Sequence, residues 1–123
     1  NQLSLAGHTL LEHENGHADI ALHQWAEPTD RVLSSYILNK CYSDACAEAM
    51  WNWWQVVAKG YKAKEGIASA DFDISEFGQD STRESKRLQA IFDYINATTD
   101  ILKAEFGVTA ACGFPSPTAG FSL

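Results

Sequence analysis

The sequence is short of positive charge. Its 123 residues include nine lysines and arginines against sixteen aspartates and glutamates, for a formal net charge of −7. The few cations form no dense basic stripe, and binding to nucleic-acid phosphates depends on clustered cations that release counterions. We therefore expect no nucleic-acid partner. An acidic surface suits solubility, or a protein partner with a basic face.

Long apolar runs are also missing. No uninterrupted apolar stretch approaches the roughly 18 to 20 residues that a membrane span needs, so we predict no membrane span. The 46% apolar and 20% charged content is typical of a globular chain rather than a disordered one. A chain of this length suits one domain that needs no metal or disulfide to hold its core.

Cysteine is scarce and odd in number. Cys41, Cys46 and Cys112 leave at least one thiol without a partner in the chain. On a continuous helix Cys41 and Cys46 differ by about 140° of rotation and 7.5 Å of rise, which disfavours a bond between them. An internal disulfide would then join one of these two to Cys112. The alternative is three buried or reduced thiols.

Helical periodicity dominates what is present. A capping box at Ser81–Glu84, apolar residues at three- and four-residue steps, and Gly107 as a stop predict a helix over 82–106. We expect five residues on this helix to be buried: Leu88, Ile91, Phe92, Ile95 and Leu102.

The middle of the chain predicts further helices. Residues 30–64 form one helix or two, because Ser43 and Asp44 could cap a fresh start, and Gly66 ends this region. Between Gly66 and the last helix, apolar and acidic residues alternate, which suggests an irregular or short-strand segment near 67–80. The fold class is therefore all-α, a small bundle of three to five helices.

The C-terminal composition differs from the rest. We divide the chain into a helical domain, 1–107, and an extended tail, 108–123, whose prolines and glycines cannot continue a helix. Phe114 and Phe121 give this tail apolar groups that gain order by lying in a groove of its own domain or of a neighbour. We therefore predict that Phe114 and Phe121 contribute to an interface.

The histidines raise the question of a metal. All four lie in the first 23 residues. On a helix His13 and His17 are one turn apart, so both imidazoles can face one zinc ion, and Glu14 is the adjacent carboxylate. His23 lies about 120° from His17 on a straight helix and could join only if the helix breaks. The alternative is a surface helix whose histidines are solvated or hydrogen-bonded.

The string HENGHADIALH resembles the zinc motif of the metzincin proteases, HExxHxxGxxH, in its glutamate and its three histidines. The resemblance implies that His13, His17 and His23 are zinc ligands and that Glu14 is the general base. The string departs from the motif at Ile20, where the family has glycine. Only twelve residues precede it, too few for the β-structure that aligns a protease substrate, and no Met-turn is present. The sequence therefore favours a non-catalytic zinc, copper or nickel site over a protease.

The four tryptophans include a dense group in the middle of the chain. Trp51 and Trp54 share one helical face and are predicted core residues, whereas Trp53 points elsewhere and is a predicted interface residue. No nucleophile elbow or phosphate-binding glycine loop is present.

These features favour a non-enzymatic structural or interaction subunit of a larger assembly, for example a phage virion, with self-association or a protein partner. One alternative is a small metal-binding protein or zinc hydrolase that uses the histidines. A second alternative is a secreted helical protein that binds an apolar ligand. A virion or extracellular location is slightly favoured over the cytoplasm.

Overall fold

A computed structural model describes the protein over residues 4–5 and 8–117, with side chains from 9 to 117. The fold is a small all-α bundle, which confirms the predicted class. A short antiparallel pair, β1 (Ser4–Leu5) and β2 (His8–Thr9), precedes the helices. The remaining elements are α1 (Leu10–Ala21), a π-helical turn (Leu22–Ala26), α2 (Glu27–Tyr36), α3 (Asp44–Phe77) and α4 (Ser81–Cys112).

Side-chain caps determine where three helices begin. The Thr9 hydroxyl accepts a hydrogen bond from the Glu12 amide, and the Glu12 carboxylate accepts from Thr9 in return. Ser43 caps α3, so the middle region is two helices, α2 and α3. Asp80 caps α4 through the Arg83 amide, one residue before the predicted cap.

The prediction of an irregular segment near 67–80 is wrong over residues 67–77, because α3 continues through them. Gly66 does not end the helix. Gly66 lies inside α3 on the side of α4, where a Cβ would be 3.4 Å from the Ala90 Cβ, an ordinary contact distance. The helix ends at Gly78, whose φ of +89° suits glycine. Only residues 78–80 between the two long helices are non-helical.

The long helix α3 is the centre of the bundle. It packs along α4 on one side and against α1, the π-helical turn and α2. Its core stripe comprises Cys46, Met50, Trp53, Val57 and Tyr61.

The predicted roles of two tryptophans are therefore corrected. Trp53 is 1% exposed and lies edge-on to Tyr36 in the core, so it does not form a surface interface. Trp51, predicted to be core, is 47% exposed and leans on the half-buried Trp54. The Trp51 side and the Trp53 side of α3 are both apolar. The Trp53 side becomes the core because it faces α4 and α2.

The prediction for the core face of α4 is also wrong. Leu88, Phe92, Ile95 and Leu102 are each more than half exposed, and Ile91 is half-buried. The buried residues of α4 are instead mostly small: Ala90, Ala97, Ile101, Ala104 and Val108. The bulky core side chains of α3 fill the space between the helices, and small residues on α4 fit against them.

The C-terminal end of α4 is joined covalently to the start of α3. Cys46 and Cys112 form a disulfide, and Cys41 is free and exposed. Gly107 does not stop α4, which ends at Gly113 in the left-handed conformation, so the extended tail begins there rather than at 108.

The first residues of the tail contact the domain itself. The Phe114 ring, 39% exposed, lies 6.3 Å from the ring of Tyr42. Phe121 lies outside the described residues. Within residues 8–117, no helix combines the length and apolarity that crossing a membrane requires.

Candidate metal centre

The candidate site lies where α1 packs on α3. One turn of α1 separates His13 from His17, so their side chains leave the same face. On α3, Ser69, Phe72, Asp73 and Glu76 follow the i, i+3, i+4, i+7 spacing of a single helical face, and this face packs on α1. Residues about 60 positions apart in sequence therefore meet where the two helices touch.

Three potential ligand atoms converge at this contact. The His13 Nε2 lies 2.9 Å from the Asp73 Oδ1, and the His17 Nε2 lies 2.8 Å from the same oxygen. The two Nε2 atoms are 3.1 Å apart. His13 is buried, whereas the side chains of His17 and Asp73 are 25% and 30% exposed. This is the one group of three or more ligand-type side chains that converges within the described part of the chain.

The tautomer of each ring decides what the cluster can hold. His17 Nδ1 lies within hydrogen-bonding distance of the Ser69 hydroxyl, which accepts from an N–H or donates to an unprotonated nitrogen. His13 Nδ1 is buried without a hydrogen bond, and the nearest anion is the Glu76 carboxylate at 3.9 Å. When both Nδ1 atoms are protonated, two imidazole lone pairs and a carboxylate oxygen point at one another, and a cation between them relieves the repulsion. When the Nε2 atoms carry the protons, both rings donate to the Asp73 Oδ1 instead.

The separations are close to those of a zinc site. Ligands at about 2.0 to 2.2 Å from a tetrahedral zinc ion lie about 3.3 to 3.6 Å apart. The three observed separations, 2.8, 2.9 and 3.1 Å, would need to grow by about 0.2 to 0.8 Å to admit the ion. Ser69 beside His17 is then an outer group that orients this ligating ring.

Gly16 explains how α1 comes so close to α3. A Cβ at this position would lie 2.5 Å from Cζ of Phe72. The Phe72 ring occupies this space and stacks on His13 at a centroid separation of 4.7 Å. Phe77 packs edge-on against another side of the His13 ring, with the ring centroids 4.8 Å apart. The glycine within HENGH thus serves helix packing, and the packing holds the buried histidine in place.

Two of the predicted site residues do not join the cluster. His23 lies in the π-helical turn, is 61% exposed, and pairs with Glu27 at 3.1 Å, so Asp73 takes the place predicted for it. Glu14 is exposed, and among the polar contacts described for residues 9–117 none connects it to His13, His17 or Asp73. The general-base role that the metzincin resemblance implies therefore has no geometric support.

Solvent can reach the cluster. Ser69 and Asp73 also line a groove of about 700 Å³ between α3 and α4. Its floor includes Ala63, Gly66 and Ala90, and lysines and carboxylates stand along its rim. A metal at the three-ligand cluster could therefore exchange with solvent and carry a water molecule as its fourth ligand.

The comparisons with known proteins give no further indication. No protein-family model, curated protein or solved structure matches the chain. A functional conclusion therefore depends on the chemistry of the cluster itself.

Proposed function

We propose that this protein binds a divalent transition-metal ion, zinc in the first place, through His13, His17 and Asp73. The observation that supports the proposal is the convergence of two Nε2 atoms and one carboxylate oxygen within 3.1 Å of one another. Two neutral imidazoles and one carboxylate form a common donor set for zinc, and the same set takes copper or nickel.

A bound ion would link α1 to α3. Within its described side chains, His13 is the only buried residue of α1, so few apolar contacts hold this helix in place. Metal ligation contributes directly to folding where the ligands come from separate elements. We therefore assign the metal a role in fixing α1 on the bundle.

A calorimetric titration of zinc chloride into the untagged protein tests this proposal. We expect one ion per chain, with an affinity that falls as the pH drops below about 6, because protons compete with the metal for the imidazoles. Asp73→Asn and His17→Ala should each lower the affinity by more than 10-fold. Ser69→Ala, which removes the hydroxyl within hydrogen-bonding distance of His17 Nδ1, should lower it by about 10- to 100-fold, as losses of an outer hydrogen-bonding partner do.

Two variants serve as matched controls. Asp71→Asn makes the same chemical change two residues away on α3, at an exposed carboxylate paired with Arg87 at 2.7 Å. His23→Ala removes a histidine that pairs with Glu27 and does not join the cluster. Both should bind zinc like the unaltered protein. Equal losses in Asp73→Asn and Asp71→Asn would show that general acidity, and not this cluster, attracts the ion.

A role as an interaction subunit of a larger assembly stays a second proposal. Its support is the exposed apolar face of α4, which is independent of the metal cluster.

A further inference from the structure

One face of α4 carries large apolar side chains that no other element among residues 8–117 covers. We define the α4 seam as Leu88, Phe92, Ile95, Thr99, Leu102 and Phe106, all of which are exposed. They follow one another at steps of four, three, four, three and four residues. This is the a/d pattern of a coiled coil, maintained over about 27 Å of helix.

The seam lies directly opposite the face that α4 buries. Ala90, Ala97 and Ala104 repeat every seven residues against α3, and each lies two residues after a seam position. At about 100° per residue, the two stripes are roughly 180° apart. A helix laid on the seam would therefore meet neither α3 nor any element packed on the far side of α3.

The seam and its borders carry little charge. The flanking positions on one side are Gln89, Asn96 and Lys103, and those on the other are Ile91, Thr98 and Glu105. One cation and one anion over five turns is few for a protein with a net charge of −7. Two copies of this acidic chain can thus approach along the seam without placing like charges together.

The exposed area is close to what a dimer interface requires. Four of the five large residues are 53% to 59% exposed, and Phe106 is 75% exposed. At about 200 Å² for a large apolar residue, the seam exposes ~600 Å², and a standard interface covers about 800 Å² on each partner. The flanking side chains supply the difference.

We propose that the seam binds the seam of a second copy of this chain, with the two α4 helices antiparallel. Centred near Ala97, this pairing places Leu88 opposite Phe106 and Phe92 opposite Leu102 of the second copy. The central layer pairs Ile95 with Thr99. Each layer then combines a larger with a smaller side chain, whereas parallel pairing would stack phenylalanine on phenylalanine and threonine on threonine.

Sedimentation of the full chain over a concentration series tests the pairing. We expect a reversible monomer–dimer equilibrium, and Leu102→Lys should weaken dimerisation by at least 100-fold because it places two unpaired charges in the interface. Leu11→Lys is the matched control: Leu11 on α1 is 58% exposed, against 56% for Leu102, and lies outside the seam. A monomer up to about 1 mM, or a dimer equally strong in Leu102→Lys, would overturn the proposal.

Cysteine cross-linking tests the orientation. In a Cys41→Ser background, which removes the free thiol, Leu88→Cys and Phe106→Cys are oxidised separately and as a mixture. Antiparallel helices predict a cross-link only in the mixture. Cross-linking of Leu88→Cys to itself would show parallel pairing and overturn the antiparallel model. Circular dichroism of each variant confirms that the helices remain folded.

Discussion

Two neighbouring residues of α4 test which face of this helix forms the core. Ile101 is 6% exposed against α3, whereas Leu102 is 56% exposed on the seam. Ile101→Ala removes three buried carbons at about 0.8 kcal/mol each and leaves a cavity, so we expect a loss of about 3 to 4 kcal/mol in the free energy of unfolding. Leu102→Ala, of similar chemistry, should cost about 1 kcal/mol or less, because much of its surface already meets water.

Guanidinium unfolding followed by circular dichroism measures both values. The experiment is run at a concentration low enough that further dilution leaves the midpoint unchanged, so that any dimer makes no contribution. The two variants should share an m-value, since they expose similar surface on unfolding. A larger loss for Leu102→Ala than for Ile101→Ala would mean that the sequence-based assignment of the core was right and that the packing described for α4 is wrong.

Three further changes probe other features of the molecule. Gly16→Ala should displace the Phe72 ring, which its Cβ would approach to 2.5 Å. Calorimetry should then show a zinc affinity about 10-fold lower, and an unchanged affinity would mean that this packing does not support the metal site. Reduction of the Cys46–Cys112 bridge, which spans 66 positions, should cost about 4 kcal/mol in chain entropy, measured as a lower midpoint of denaturation, whereas Cys41→Ser should change nothing. Burial raises the pKa of Tyr61 above its usual value of 10.0, partly offset by Arg31. The folded state therefore holds this proton more tightly than the unfolded chain, so its stabilising contribution is complete below about pH 10 and is lost as the pH rises through the folded pKa. Tyr61→Phe should flatten the fall in stability above about pH 10, and an identical slope in both proteins would contradict this origin.

The local signals in the sequence predict the helices well. The Ser43 hydroxyl caps α3, a start that the sequence indicated. The cap of α4 is Asp80, one residue before the predicted cap. Glycine misleads twice: Gly66 and Gly107 read as stops, yet both lie inside helices. The long contact of α3 with α4 offsets the roughly 1 kcal/mol that a glycine costs inside a helix, a tertiary cause that a local pattern does not contain.

The choice of helix face could not be predicted in the same way. Periodicity shows that Leu88, Phe92 and Leu102 share a face, but not whether that face meets α3, solvent or another chain. On α4 the larger residues stay outside and alanines pack inside, and on α3 Trp53 is buried while Trp51 is exposed. Which of two apolar stripes becomes core depends on the partner helix.

The candidate site was half predictable. The spacing of His13 and His17 indicates a pair of ligands, because both lie on one face of one helix. Asp73 comes from a segment read as irregular, although Ser69, Phe72, Asp73 and Glu76 already have helical spacing. Recognising this spacing as one face of α3 would have placed a carboxylate on that face, but only the packing of α1 on α3 brings it to the histidines.

X-ray absorption spectroscopy of the zinc-loaded protein tests the central claim most directly, because it counts the imidazoles around the ion. The account predicts two imidazole nitrogens at about 2.0 to 2.1 Å with oxygen ligands completing the shell, and the same spectrum from His23→Ala. Three imidazoles that fall to two in His23→Ala, or a sulfur ligand at about 2.3 Å from Cys41, would contradict it.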